Sequence, residues 1–155
     1  LTRELPELSG ISRAKCSNYI GDAIDCAKLT GFQEVMLIGH IGKLVKLAGG
    51  VMNTHSRTAD CRRELFCAHA ALCGADPELC RALMREVSSD GCLKVLEQAG
   101  LRDVVMQSLL DAIQHVLTRR ADGMRIGALL FSLEAGFLGM TSEAETLLRE
   151  WRTEL

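Results

Sequence analysis

Aromatic residues are scarce in this 155-residue chain, with four Phe, one Trp and one Tyr. Six rings are too few for the stacking platforms that hold single-stranded nucleic acid. Charge of one sign is missing too: 18 Lys and Arg stand against 20 Asp and Glu, a net charge of −2. That balance leaves no electrostatic footprint for a nucleic acid or an anionic membrane, and any basic site has to be local. Long apolar runs are absent. Val35–Ile38 and Gly127–Leu133 fall far short of the ~20 residues that span a bilayer, and no signal peptide opens the chain. A cytoplasmic protein with neither nucleic acid nor membrane as partner is expected. Cysteine is plentiful, at seven, but the number is odd and no CxxC or CxxxC pair occurs, so neither a disulfide framework nor a zinc site is expected. Cys61, Cys67, Cys73 and Cys80 recur in a region rich in Ala and Leu and read as small buried hydrophobes.

What is present is enough for one core: 48% of residues are hydrophobic and 25% charged, the range of an ordinary globular domain. The first residue is Leu, and Leu1–Gly10 reads like the middle of a longer chain. Arg13–Ser17 is a short strand candidate. Asn18 is placed to cap a helix through Thr30, whose Ile20, Ala23, Ile24 and Ala27 follow the 3.6-residue period. Glu34–Gly39 reads as a short, continuously apolar buried strand, completing a βαβ unit. Ile41–Ala48 is a short helix ended by Gly49 and Gly50, and the polar run Asn53–Arg57 is a loop. Helices follow from about Ala59 to Cys73, from Asp76-Pro77 in the N-cap and N1 arrangement, from Ser88 to Gly100, and from Leu101 to Arg120. Arg125–Leu133 returns to strand character. Ser142 with Glu145 forms a capping box for a last helix to about Trp151.

The expected fold is α/β and layered, with a mainly parallel sheet of few strands and a large helical segment, 59–121, between the second and last strands. Residues 1–155 form a single domain. Ligands of such folds sit in the crevice at the carboxyl ends of the strands, and Gly39–Lys43 (GHIGK) stands at one of these ends. It is not a Walker loop, since Leu37 holds the place of its first Gly and Leu44 that of its Ser or Thr. It is not a dinucleotide fingerprint either, because Gly39 and Gly42 stand three apart without the G-x-G start. Glycines after a strand still let a ligand approach the backbone, and amides at a helix start accept a carboxylate or phosphate.

The densest polar cluster lies just beyond. Lys43 and Lys46 are three apart on one helical face, which alone reads as a solvated surface. Asn53, Thr54, His55, Ser56 and Arg57 then supply five polar side chains in a row, followed by Asp60. Capping of the next helix by Thr58 or Asp60 explains only one of them. Arg57 suits bidentate binding of a carboxylate, and His55 can exchange a proton near neutral pH. His40 and His55 lack a third ligand at a recognisable spacing, so no metal site is expected. His69 and His115 read as structural or surface residues. Ser132–Glu134 and Gly136–Gly139 either border the same crevice or form a Gly-rich turn.

Three ordered segments carry a resemblance: Lys15–Gly21 (KCSNYIG), Gly39–Ala48 (GHIGKLVKLA) and Asn53–Asp60 (NTHSRTAD). They resemble the signature segments of the CbiD family, the cobalt-precorrin-5B C(1)-methyltransferases of anaerobic cobalamin biosynthesis. The similarity continues through Phe66–Gly74 and Phe131–Thr141. Family members carry an amino-terminal domain with a TSGTCA-like motif that does not occur here, so the chain is expected to be the carboxyl-terminal part of a two-domain enzyme.

The resemblance implies methyl transfer from S-adenosylmethionine to C(1) of a cobalt-bound tetrapyrrole, giving cobalt-precorrin-6A. On it, Lys43, Lys46 and Arg57 are expected to anchor the substrate's carboxylates, and His55 or Asp60 to move or stabilise charge. Asn18, Gly39, His40, Gly42, Asn53, Thr54 and Ser56 complete the expected substrate- or cofactor-binding set. Cobalt would arrive with the substrate. The other reading is a non-catalytic ligand-binding or dimerisation domain, with the Leu- and Val-rich helices at 92–117 as its contact, that completes the active site of the full-length enzyme. A generic nucleotide-binding α/β enzyme is the third.

Overall fold

The computed structural model describes residues 11–154; Leu1–Gly10 lies outside the described residues. Helix α1 (Ile20–Leu29) precedes strand β1 (Glu34–His40). The short α2 (Ile41–Leu44) runs directly into a 3-10 turn, Val45–Gly49. Four helices follow: α3 (Arg62–Leu72), α4 (Pro77–Arg85), α5 (Ser89–Gln98) and α6 (Arg102–Ala121). Strands β2 (Arg125–Ser132) and β3 (Gly136–Met140) lead into α7 (Ser142–Glu154). The class is mixed α/β, and the helical segment does lie between β1 and β2.

Two strand expectations are corrected. Arg13–Ser17 is not a strand: the chain turns at Ser17, whose φ is +51°, and an isolated bridge forms only beyond it, between Tyr19 and Asn53. No βαβ unit starts there, and the parallel crossover runs instead from β1 to β2. Gly136–Gly139 is neither turn nor loop but the body of β3, antiparallel to β2 with an irregularity at Leu130/Phe131. The sheet, ordered β1-β2-β3, therefore has one parallel and one antiparallel pairing rather than a mainly parallel arrangement. In the parallel pair Glu34 meets Arg125 and His40 meets Phe131.

Local chemistry explains the helix starts. Asp76 Oδ1 accepts from the Leu79 amide at 2.8 Å with Pro77 behind it, and Ser88 Oγ accepts from the Gly91 amide at 3.0 Å, each satisfying an orphan donor of the first turn. Two other caps differ from expectation. Asn18 does not cap α1; the Ile20 and Gly21 amides both donate to the Met52 carbonyl at 3.1 Å. Helix α7 already includes Ser142, and its Glu143 amide donates to Gln114 Oε1 of α6 at 3.3 Å, so the capping box gives way to a tertiary contact.

Strand β2 feeds two apolar clusters by alternation. Ile126, Ala128 and Leu130 join the main core with Leu109, Ile113 and Leu117 of α6 and with Ile41, Leu44, Val45 and Leu47. Leu129 joins Leu148 of α7, with Met36, Met140, Trp151 and Ile11 around them. Gly127 lets α7 rest on the strand, since a Cβ there would lie 2.3 Å from the Ala144 amide nitrogen. Most apolar residues of 92–117 lie in this chain's own core: Cys92, Leu93, Leu96, Val105, Met106, Leu109, Leu110, Ile113 and Leu117 are buried, while Val104 is 49% exposed. All seven cysteines are free; Cys61, Cys67, Cys73 and Cys80, read as buried hydrophobes, are only partly buried, while Cys92 is buried and Cys26 exposed.

Candidate functional site at the carboxyl end of β1

The polar run 53–60 is held from below. Lys46 is 2% exposed, and its Nζ donates to the Thr54 carbonyl at 3.0 Å and the Ala59 carbonyl at 2.8 Å. Amphipathic spacing put this ammonium beside Lys43 on a solvated face. Instead, the tight 3-10 winding after α2 rotates it inward, while Lys43 is exposed. Gly50 ends that winding in the left-handed conformation, φ +77°, and turns the chain towards α1. There Thr54 N donates to the Asn18 carbonyl at 2.9 Å, and Thr54 Oγ1 meets Asn18 Oδ1 at 3.2 Å. Thr54 is itself buried. Asn18, Lys46 and Thr54 thus form the frame of the loop.

The crest of the loop faces outward. Asn53 Oδ1 accepts from the His55 amide at 3.1 Å, and His55 Nδ1 accepts from the Arg57 amide at 3.1 Å. His55, Ser56 and Arg57 are exposed. An imidazole that accepts at Nδ1 carries its proton at Nε2 when neutral, so His55 presents an N–H to solvent. Asp60 is tied down: Arg62 donates to both of its oxygens at 2.7 and 2.8 Å. This guanidinium holds the Asp60 carboxyl down at about 2, a fixed negative charge at neutral pH and a poor acceptor of protons.

His40 repeats the His55 geometry at the end of β1. Its Nδ1 accepts from the Gly42 amide at 3.0 Å and caps α2, while its ring stands edge-on to Phe131 at 6.0 Å. Both glycines of the GHIGK turn have partners within the chain. A Cβ on Gly39 would lie 3.0 Å from Leu44, and one on Gly42 would lie 3.2 Å from His40 Nδ1. His40 Nε2 lies 3.9 Å from Asp90 Oδ2, and the other oxygen of Asp90 accepts from Ser132 Oγ. Ser132 Oγ in turn accepts from the Glu134 and Ala135 amides at 3.0 and 3.1 Å. Asp90 escaped the sequence reading because Ser-Ser-Asp at a helix start reads as capping alone; only the fold brings α5 to the ends of β1 and β2.

The other histidines do structural or surface duty. His69 Nδ1 pairs with Ser108 Oγ at 2.8 Å and links α3 to α6, with burial pushing its pKa down; His115 is exposed. Among the described residues no group of three or more His, Cys, Asp or Glu could hold a metal ion, and no helix is long and apolar enough to cross a membrane. A surface depression of about 140 Å³ between Glu97, Gly100, Arg102 and Asp103 shares no residue with the polar run or the GHIGK turn.

Comparison with known proteins matches residues 53–142 to the family described as CbiD, C-terminal domain. The chain is 49% identical over 119 residues to a cobalt-precorrin-5B C(1)-methyltransferase of Ruminiclostridium cellulolyticum, covering 76% of this chain and 31% of that protein. It is 34% identical over 155 residues to the protein of the same name from Alkaliphilus metalliredigens, covering 99% of this chain and 41% of the relative. For the protein of that name from Methanocaldococcus jannaschii the figures are 32% over 123 residues, 79% and 34%. The chain therefore spans about a third of the length of these relatives. No solved structure matches. The matched region begins at Asn53, the first residue of the clamped loop, and this chain belongs to the CbiD family.

Proposed function

We propose that the chain is the carboxyl-terminal part of a C-methyltransferase that moves a methyl group from S-adenosylmethionine to C(1) of cobalt-precorrin-5B, giving cobalt-precorrin-6A. The observation that carries this reading is the 53–60 loop. Its main chain is fixed from beneath by Lys46 and Asn18, so that His55, Ser56 and Arg57 are presented outward within the region matched to the family. A tetrapyrrole rimmed with carboxylates asks for such a surface: Arg57 and Lys43 supply exposed cations, and His55 Nε2–H supplies a neutral donor. Lys46 serves as the clamp beneath them, and the Asp60–Arg62 pair sets the charge at the loop's end.

S-adenosylmethionine supplies an already activated methyl group, so the protein's part is alignment and exclusion of water. An open loop cannot enclose a macrocycle by itself. The remaining two thirds of a family-length chain would provide the opposing wall, and the enzyme would act in the cytoplasm. An orphaned buried hydroxyl, Ser89 Oγ, beside the GHIGK turn is the feature of this chain that fits a bound cofactor.

The test is methyl transfer by the complete natural chain containing residues 1–155, with Arg57→Ala beside the parent. Loss of a charge-assisted contact, worth about 1.5–3 kcal/mol, predicts a roughly tenfold to hundredfold fall in kcat/KM for the tetrapyrrole. The melting temperature should not change. Undiminished turnover in Arg57→Ala would remove the loop from the substrate site, and absence of methyl transfer in the parent would sink the function.

A further inference from the structure

Where β1 and β2 end, three groups converge, His40, Ser89 and Asp90. Asp90 is the second residue of α5 and lies where the helix dipole favours an anion. One of its oxygens is engaged by Ser132 Oγ, while the other faces His40 Nε2 across 3.9 Å, beyond a direct hydrogen bond. His40 keeps Nδ1 for the Gly42 amide, so its Nε2 carries a proton aimed towards that gap. The third group is Ser89 Oγ. Its residue is 2% exposed, and the hydroxyl has no hydrogen-bond partner. Buried hydroxyls are rarely left unpaired, because desolvation without compensation costs about 1–3 kcal/mol. A Cβ on Gly42 would stand 3.6 Å from this oxygen and 3.2 Å from His40 Nδ1. The orphaned hydroxyl and the imidazole that faces Asp90 therefore both border the space beside the Gly42 Cα.

The chemistry of the three groups is selective. A carboxylate oxygen only accepts, a neutral imidazole N–H only donates, and a serine hydroxyl does either. An ammonium would suit Asp90 but meet the His40 N–H head-on, and an anion would suit His40 but meet Asp90. A hydroxyl satisfies both at once, accepting from His40 Nε2 and donating to Asp90 Oδ2. A vicinal diol does so and offers a second oxygen to Ser89 Oγ. The place is also the carboxyl end of a parallel strand pair, where α/β folds take their ligands. The Lys94–Glu134 ion pair, 2.6 Å long, links α5 to the β2–β3 loop at the edge of the cluster.

We propose that His40, Ser89 and Asp90 form a diol-binding subsite that takes the ribose of the nucleoside methyl donor. The assignment rests on the methyltransferase reading and adds the identity of the group bound. Ser132 is a positioning residue, holding one carboxylate oxygen so that the other faces the ligand. A side chain at Gly42 would crowd His40 Nδ1 at 3.2 Å.

The test is calorimetric, on the complete natural chain containing residues 1–155. The probes are S-adenosylhomocysteine and its 2′,3′-dideoxy analogue, titrated into the parent and into Asp90→Asn and Ser89→Ala. The parent should prefer the diol by about tenfold to a hundredfold, the worth of a hydrogen bond to a charged group. Asp90→Asn should bring the two affinities close together, and Ser89→Ala should reduce the preference in part. Equal binding of both probes by the parent would overturn the subsite while leaving the methyltransferase reading intact, and that outcome depends on no variant folding. A full preference retained in Asp90→Asn would also overturn it. Absence of S-adenosylhomocysteine binding in the parent would overturn both readings together.

Discussion

Lys46→Met offers the sharpest check on the idea that the 53–60 loop is clamped from within. The substitution keeps the length and most of the volume of the stem in a site 2% exposed and removes only the donors. Two carbonyls lose their partner, those of Thr54 and Ala59. Hydrogen bonds from a charged donor are worth about 1.5–3 kcal/mol each, so the gross loss is roughly 3–6 kcal/mol. Part of it returns, because the Ala59 carbonyl is only partly buried and recovers water, and because an ammonium no longer has to be desolvated. A net cost of about 2–4 kcal/mol remains, close to 30-fold to nearly 1000-fold in the loop's opening constant. Arg57 sits on the crest, so trypsin cleavage after it reports that opening directly. Urea unfolding followed by circular dichroism reports the global cost. Cleavage and unfolding midpoint both unchanged in Lys46→Met would refute the clamp. A lower midpoint with unchanged cleavage would make Lys46 part of the general core.

Two further outcomes follow from the packing. Gly127→Ala places a methyl 2.3 Å from the Ala144 amide nitrogen and 2.5 Å from its Cα, backbone that can move only with α7 as a whole; a loss of at least about 2 kcal/mol is expected in thermal melts, and a variant as stable as the parent would show that α7 does not rest on β2. His69 has its pKa lowered by burial, so between its folded value and the ordinary 6.5 the unfolded chain binds more protons than the folded one. Stability should therefore rise with pH across that window and fall as the pH drops through 6.5, and His69→Gln should flatten the slope in urea unfolding curves taken from pH 5 to 8.

Sequence periodicity located β1 and every helix to within a few residues, because each rests on local rules: apolar spacing, Asp76 and Ser88 as caps, Gly50 as a stop. The failures share a cause in tertiary structure. Residues 13–17 alternate polar and apolar like a strand, but among the described residues they join no ladder, and the chain turns at Ser17. Strand β3 has the opposite problem. Gly136 and Gly139 weaken its intrinsic preference, and pairing with the buried β2 overrides that. Lys46 looks like a surface cation in any one-dimensional reading, since what buries it are two carbonyls 8 and 13 residues away. The same limit hid Asp90. His40 and Arg57 were visible as unusual residues in an unusual run, whereas the carboxylate facing His40 comes from a helix 50 positions on.

The pairing of β1 with β2 has a kinetic consequence. Arg125 reaches Glu34 at 2.8 Å across 91 positions of chain, and closing a flexible loop of that length costs about 4 kcal/mol before any contact rewards it. Helices α3 to α6 need no such closure, so they can collapse first and bring the strand ends within reach. The two sides of the proposed diol cleft, the end of β1 on one and the end of β2 with α5 on the other, would then become adjacent only in the last step of folding. A chain arrested before that step would be mostly helical, with the family's polar loop already formed in part and no ligand site at all.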